Sequence, residues 1–185
     1  MPTPHKWRTP VFAPWLPSNT APVIRDLIVR ASLDIGITEM PPGSNRSGII
    51  DEYNIRAGGK VGDYWCATAM GAWWQDVGLL APKGYGSCDA WVAFAKETGR
   101  WIPVGSTPPV GSAVLYGKPG VPPDAQHIGL LIRWAPLPIT IEGNTTIEGS
   151  AFGASRNGVA VSVKELTKTD PILGYCAPLP IANLR

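Results

Sequence analysis

Reactive side chains are scarce in this sequence. Its 185 residues include only two histidines, His5 and His127, and three cysteines, Cys66, Cys88 and Cys176. Three cysteines are too few for a disulfide framework, and their positions lack the spacing of a zinc site. Charged residues make up 16% of the chain and the net charge is +2, too little to argue for a nucleic-acid partner. No apolar run reaches the ~18 residues that a membrane-spanning helix needs, so no membrane partner is expected. The opening stretch, MPTPHKWRTPVFAPWLP, is broken throughout by proline. A signal peptide needs an uninterrupted apolar segment, so none is expected. The chain would then be made in the cytoplasm and reach any outside target by release or by another delivery route.

What is present points to a globular fold. Hydrophobic residues make up 44%, and 21 glycines with 20 prolines imply many turns. The length suits one domain with a real core. Residues 1–21 read as a proline-rich arm and 22–185 as that domain. Pro22 opens an expected helix over 22–35, with Val23, Leu27, Ile28 and Ala31 on one face and Gly36 ending it. Further helices are expected over 47–57, 63–77 and 87–98. After residue 100 the pattern changes to short β-type runs: SAVLY, HIGLLIRW, ITIEGN, VAVSV and ILGYC, separated by Gly/Pro turns. Helices first and strands second argue for an α+β fold with an antiparallel sheet.

The stretch DYWCATAMGAWW, residues 63–74, carries the first chemical signal. With Asp63 as N-cap, Cys66 would be the third residue of its helix. Its thiolate would lie in the positive field of the helix N-terminus, beside N–H groups without intrahelical partners. That lowers a thiol pKa and supplies donors for an oxyanion. Ala67, Ala69 and Gly71 keep the helix surface thin. A buried structural cysteine is the alternative reading.

A cysteine nucleophile needs a base, and histidine is the usual one. Of the two histidines, His5 falls in the arm, which leaves His127. Ile128, Leu130 and Ile132 alternate, as do Ile139 and Ile141, which favours pairing Leu130 with Ile141 and Ile132 with Ile139. That register sets Asn144 opposite His127 and Glu142 opposite Gly129. His127, Glu142 and Asn144 then share one face, where Gly129 leaves room. A carboxylate or amide bonded to an imidazole fixes its orientation, the third role in a triad.

In this order and at these separations, GDYWCATAMGAWW, PPVGSAVLY, HIGLLI and TIEGNTT resemble the CHAP domain. This is the cysteine, histidine-dependent amidohydrolase/peptidase family, a branch of the papain-like peptidases. The resemblance covers roughly residues 40–176. GSNRSGIIDEYN, upstream of the cysteine, is similar to bacterial and phage members. The resemblance implies a papain-like fold with N-terminal helices packed on an antiparallel sheet. It also implies Cys66 as nucleophile, His127 as base, Glu142 as the group orienting His127 and Asn144 as an additional polar partner. No metal or organic cofactor is implied.

The family's usual substrate is bacterial peptidoglycan, cut at the muramoyl-L-alanine amide or within the stem or cross-bridge peptide. A phage lysin or a secreted effector is expected, acting as a monomer; an immunity protein would accompany only the effector. Two positions depart from the family pattern: Trp65 where many members have Gln, and Ser112 where many have Asp. Acidic calcium-binding clusters are not evident. Two other readings remain: a catalytically silent wall-binding or structural protein on the same fold, and a papain-like protease or deamidase acting on a protein. Trp73, Trp74, Trp91, Trp101 and Trp134 offer stacking walls for sugar or peptide, though most are expected in the core.

Overall fold

The computed structural model describes residues 16–118, 124–146 and 158–178. His5 and most of the expected arm lie outside them. Four helices come first: α1 (Pro22–Ser32), α2 (Gly48–Arg56), α3 (Cys66–Asp76) and α4 (Cys88–Glu97). Six strands follow: β1 (Trp101–Pro103), β2 (Ala113–Lys118), β3 (Asp124–Arg133), β4 (Ile139–Thr145), β5 (Ala160–Glu165) and β6 (Ile172–Cys176). They form one antiparallel sheet in the order β1-β6-β2-β3-β4-β5. The fold class is α+β, as the order of helical and strand patterns implies. Strand β1 was not expected. Its three residues are too few for a period-2 pattern, and pairing with β6 makes them a strand.

Two local expectations are corrected. Helix α3 starts at Cys66, not Asp63, and Trp65 is its N-cap. Asp63 closes the preceding turn instead, its Oδ2 accepting the Lys60 N–H at 2.7 Å. A short polar side chain can cap a turn as readily as a helix, so the residue type alone did not separate the two. The second correction is the β3–β4 register. Leu130 pairs with Ile141 as expected, but a bulge then sets Arg133, not Ile132, opposite Ile139. Such an extra residue cannot be read from alternation.

Helix α1 buries Ile24, Leu27, Ile28 and Ala31, with Val23 only partly covered. Ahead of it, Arg25 ties down the preceding segment, bonding the carbonyls of Pro17, Ser18 and Thr20 at 3.1, 2.9 and 3.1 Å. The main core lies between the helices and the sheet. Along β2, Ala113 and Leu115 point into it, while Val114 and Tyr116 join a smaller cluster with Leu131, Leu166 and Tyr175. Trp65, Trp73, Trp74 and Trp91 are fully buried, so they build the core and offer no stacking wall. Trp101 and Trp134 are half-buried against it.

Helix α3 is central. Every residue from Cys66 to Trp74 is buried, and the helix lies against β3, β4, α1 and α2. A polar cluster, buried at Asp34, Tyr53 and Trp73 and open to solvent at Arg56 and Asp76, fixes it from behind. Arg30 of α1 bonds Asp34 at 2.8 Å and Asp76 at 2.7 Å. Trp73 donates its indole N–H to Asp34 at 2.7 Å, and the Tyr53 hydroxyl of α2 donates to the same carboxylate. Arg56 bonds the other oxygen of Asp76 at 2.7 Å. Three helices thus share one set of charges, and the buried Asp34 carboxylate is matched by a cation and two donors, as burial requires.

Small residues on α3 set how closely its neighbours approach. A Cβ at Gly71 would fall 2.0 Å from the Tyr85 ring. A Cβ at Gly143 of β4 would meet Ala69 and Trp65, each at 3.0 Å. Gly71→Ala should therefore destabilise the protein by about 1–3 kcal/mol through overpacking, although alanine is the better helix former by about 1 kcal/mol. Urea unfolding checks the sign. A more stable Gly71→Ala variant would mean that the ring yields without cost.

Candidate active site

The chain is locked just before Cys66. Thr68 donates to Asn54 Oδ1 at 2.8 Å, and Asn54 Nδ2 donates to the Asp63 carbonyl at 2.9 Å. The Ala69 N–H bonds the Trp65 carbonyl at 3.0 Å and is the first inside the helical ladder. The N–H groups of Cys66, Ala67 and Thr68 therefore belong to the unsatisfied helix end. Cys66 is the first residue of α3, closer to that end than the sequence suggested.

His127 stands on β3, paired across the ladder with Tyr116 of β2, their ring centroids 5.7 Å apart. Its Nε2 lies 3.0 Å from Glu142 Oε2, and it also bonds the Cys66 sulfur. Since Glu142 takes Nε2, Nδ1 is the nitrogen left for the sulfur. Gly129 makes the approach of Glu142 possible. A Cβ there would fall 2.7 Å from Glu142 Cγ. The room expected at Gly129 is thus present.

Glu142 is held by more than His127. Tyr116 and Thr140 each donate to its Oε1 at 2.7 Å, and Thr145 donates to Oε2 at 3.4 Å. Burial pushes the Glu142 pKa up, but His127, Thr140 and Tyr116 outweigh it and the carboxyl is held below its usual range. Burial also works against a charged His127. Its bonds to Cys66 and Glu142, with their negative charges, outweigh that and raise it to about 10. Cys66 is lowered well below an ordinary thiol, first by the hydrogen bond with Cys88 and then, against burial, by His127 and the Ala67 N–H. These opposite shifts favour a thiolate beside an imidazolium, with titration steps that belong to the pair.

Asn144 does not join this chain. It is buried at a positive φ of 53°, and both polar atoms of its side chain lack a hydrogen-bond partner among the described residues. The β4–β5 register also shifts between Glu142 and Thr145. The left-handed turn at Asn144 breaks the alternation on which the expected partnership with His127 rested.

Three features escaped the sequence reading. Cys88 places its sulfur 3.9 Å from that of Cys66. The signal available was that both cysteines begin helices. Tyr116 and Thr140 support Glu142, and only the full register of three strands reveals them. Glu39, buried to 1% exposure, accepts the Trp65 indole N–H at 2.9 Å. That bond holds the Trp65 side chain in the core.

Cys66 is 7% exposed, and it opens onto a cleft of about 290 Å³ lined by Tyr64, Ser87, Cys88 and Gln126 among others. Ser112 is buried and donates to the Pro109 carbonyl at 2.7 Å, closing a turn. Cys176 is also buried, and burial pushes its thiol up to about 12. Among the described residues no group of three or more His, Cys, Asp or Glu side chains is placed to hold a metal ion, and no helix is long and apolar enough to cross a membrane. No family model, curated protein or solved structure matches the chain.

Removing the Glu142 charge should raise the Cys66 pKa, because the imidazolium that stabilises the thiolate loses its counter-charge. A lost neighbouring charge moves a pKa by about 1–3 units, so Glu142→Gln should raise the pH at which iodoacetamide labelling of Cys66 is half-maximal by about that much. Tyr116→Phe keeps the carboxylate and should raise it less. Labelling rates across pH, followed by peptide mapping, check both. A Glu142→Gln midpoint equal to wild type would mean that the carboxylate does not support the pair.

Proposed function

We propose that the protein is a cysteine amidohydrolase of the CHAP type that cuts an amide bond in bacterial peptidoglycan. One observation carries the catalytic part: Cys66 begins a buried helix and bonds His127, whose Nε2 lies 3.0 Å from the Glu142 carboxylate. The wall substrate rests on the resemblance of the ordered motifs around Cys66, Ser112, His127 and Glu142 to that family.

In this mechanism the Cys66 thiolate attacks the amide carbonyl, forming a C–S bond and a tetrahedral oxyanion. The Cys66 backbone N–H, at the open helix end, donates to the oxyanion in the way such preorganised groups do. The imidazolium of His127 then gives its proton to the departing amine as the C–N bond breaks. Water, deprotonated by the now neutral His127, attacks the thioester; the C–S bond breaks, the acid product leaves, and the thiolate and imidazolium are restored. Glu142 does not react. It holds the ring in place and stabilises its charged form, the third role of a triad. The pair exists at pH values between the lowered Cys66 pKa and about 10 for His127. Activity should therefore extend well below the pKa of about 8.5 that limits an ordinary thiol and fall as the imidazolium proton is lost.

The substrate enters by the cleft beside Cys66, and the enzyme acts as a monomer on the wall after release or delivery. Incubation with purified sacculi tests the whole reading. Wild type should release soluble fragments, and mass spectrometry of them identifies the amide cut. Cys66→Ala and His127→Ala should each lower the rate by at least about a thousandfold while leaving the fold intact. Intact sacculi after prolonged digestion, together with cleavage of an unfolded protein substrate, would move the protein-directed protease reading ahead.

A further inference from the structure

Cys88 forms no bond to substrate in the reaction above, yet it lowers the Cys66 thiol and occupies a defined place. It is the first residue of α4, as Cys66 is of α3. The two sulfurs are 3.9 Å apart, and both residues line the same cleft. A disulfide requires an S–S distance of about 2.05 Å. At 3.9 Å the sulfurs are nearly in van der Waals contact, and only that gap has to close for the bond to form. Neither is joined in a disulfide in this structure.

We propose that Cys66 and Cys88 form a reversible oxidation site, in which Cys88 captures the oxidised nucleophile as a disulfide and switches the enzyme off. The inference rests on Cys66 being the activated thiol, not on the identity of the substrate. The oxidant is a peroxide. The Cys66 thiolate attacks one peroxide oxygen; an S–O bond forms, the O–O bond breaks and hydroxide leaves. The Cys88 sulfur then attacks the sulfur of the sulfenic acid. An S–S bond forms and the S–O bond breaks. The second hydroxide leaves as water with the Cys88 proton. Two thiols and one peroxide become one disulfide and two waters. A dithiol reductant reverses the step by thiol–disulfide exchange.

The site has the two features that such chemistry needs. A resolving thiol lies 3.9 Å from the first sulfur, and that sulfur's pKa is held well below an ordinary thiol's, which favours the reactive thiolate. The disulfide serves two ends. It removes the nucleophile from reaction, and it keeps Cys66 from the irreversible sulfinic state. Cys176 marks the contrast. It is buried at the end of β6 with its thiol pushed up to about 12, so it stays reduced and serves as the internal control.

The test uses the full chain, a small excess of hydrogen peroxide, a maleimide quench and intact-mass and peptide analysis. Wild type should lose about 2 Da, with Cys66 joined to Cys88 and Cys176 still alkylated. Sacculus hydrolysis should fall by at least about tenfold and return with dithiothreitol. Cys88→Ser, compared with its own untreated activity, should instead gain about 32 Da at Cys66 and not recover. Wild type that gains oxygen at Cys66 while Cys88 remains open to maleimide would overturn the proposal, whether or not the variant folds. Disulfide formation in a protein inert toward sacculi would keep the oxidation site and reject the hydrolase reading.

Discussion

The Glu142 carboxylate lies at 2% exposure, where a bare charge would be severely destabilising. Four side chains replace its water: His127, Tyr116, Thr140 and Thr145. They come from β2, β3 and β4, so the carboxylate is satisfied only when those strands are correctly paired. The same bonds that make Glu142 tolerable fix the plane and the charge of His127. The Cys66 thiol is in turn lowered by the Cys88 hydrogen bond and by His127. One buried carboxylate therefore links strand register to the state of a sulfur on a helix. Gly129 is part of that link, because any side chain there would occupy the space of Glu142.

The second requirement is the position of α3. The helix is buried along its length, and its N-terminus reaches His127 because Gly71 and Gly143 admit neighbours that a methyl group would exclude. The cluster of Arg30, Asp34, Tyr53 and Trp73 anchors it from the opposite direction. Thr68 and Asn54 hold the turn that leads into Cys66. These contacts set the distance between sulfur and imidazole, and at a reacting centre an error of 1 Å costs about a hundredfold. Cys66 and Cys88, the first residues of α3 and α4, then line the same small cleft.

Much of this was legible in the sequence. Four helices followed by short strands gave the fold class, because helical and strand periodicities differ enough to be told apart. Cys66, His127 and Glu142 were found by scarcity and alternation: one histidine remained outside the arm, and period 2 placed Glu142 beside Gly129. Other parts were not legible. Cys88 is 22 residues from Cys66, and no local pattern links two helix starts. The bulge at Ile132 and the left-handed backbone at Asn144 both break the alternation from which the register was argued. Asn144 consequently lies outside the triad. The sequence shows Trp65 before the cysteine, but its bond to the distant Glu39 becomes visible only once the chain has folded.

The claim on which the account turns is that Cys66 is already a thiolate beside a protonated His127 at neutral pH. A thiolate absorbs in the far ultraviolet and a thiol does not, so a pH titration of wild type against Cys66→Ser reads the charge of that sulfur without any substrate. The account predicts that at pH 6 wild type carries close to one thiolate more than the variant, and that the difference disappears only in more acidic solution. A difference that emerged only as the pH rose through about 8.5, where an unperturbed cysteine ionises, would contradict it.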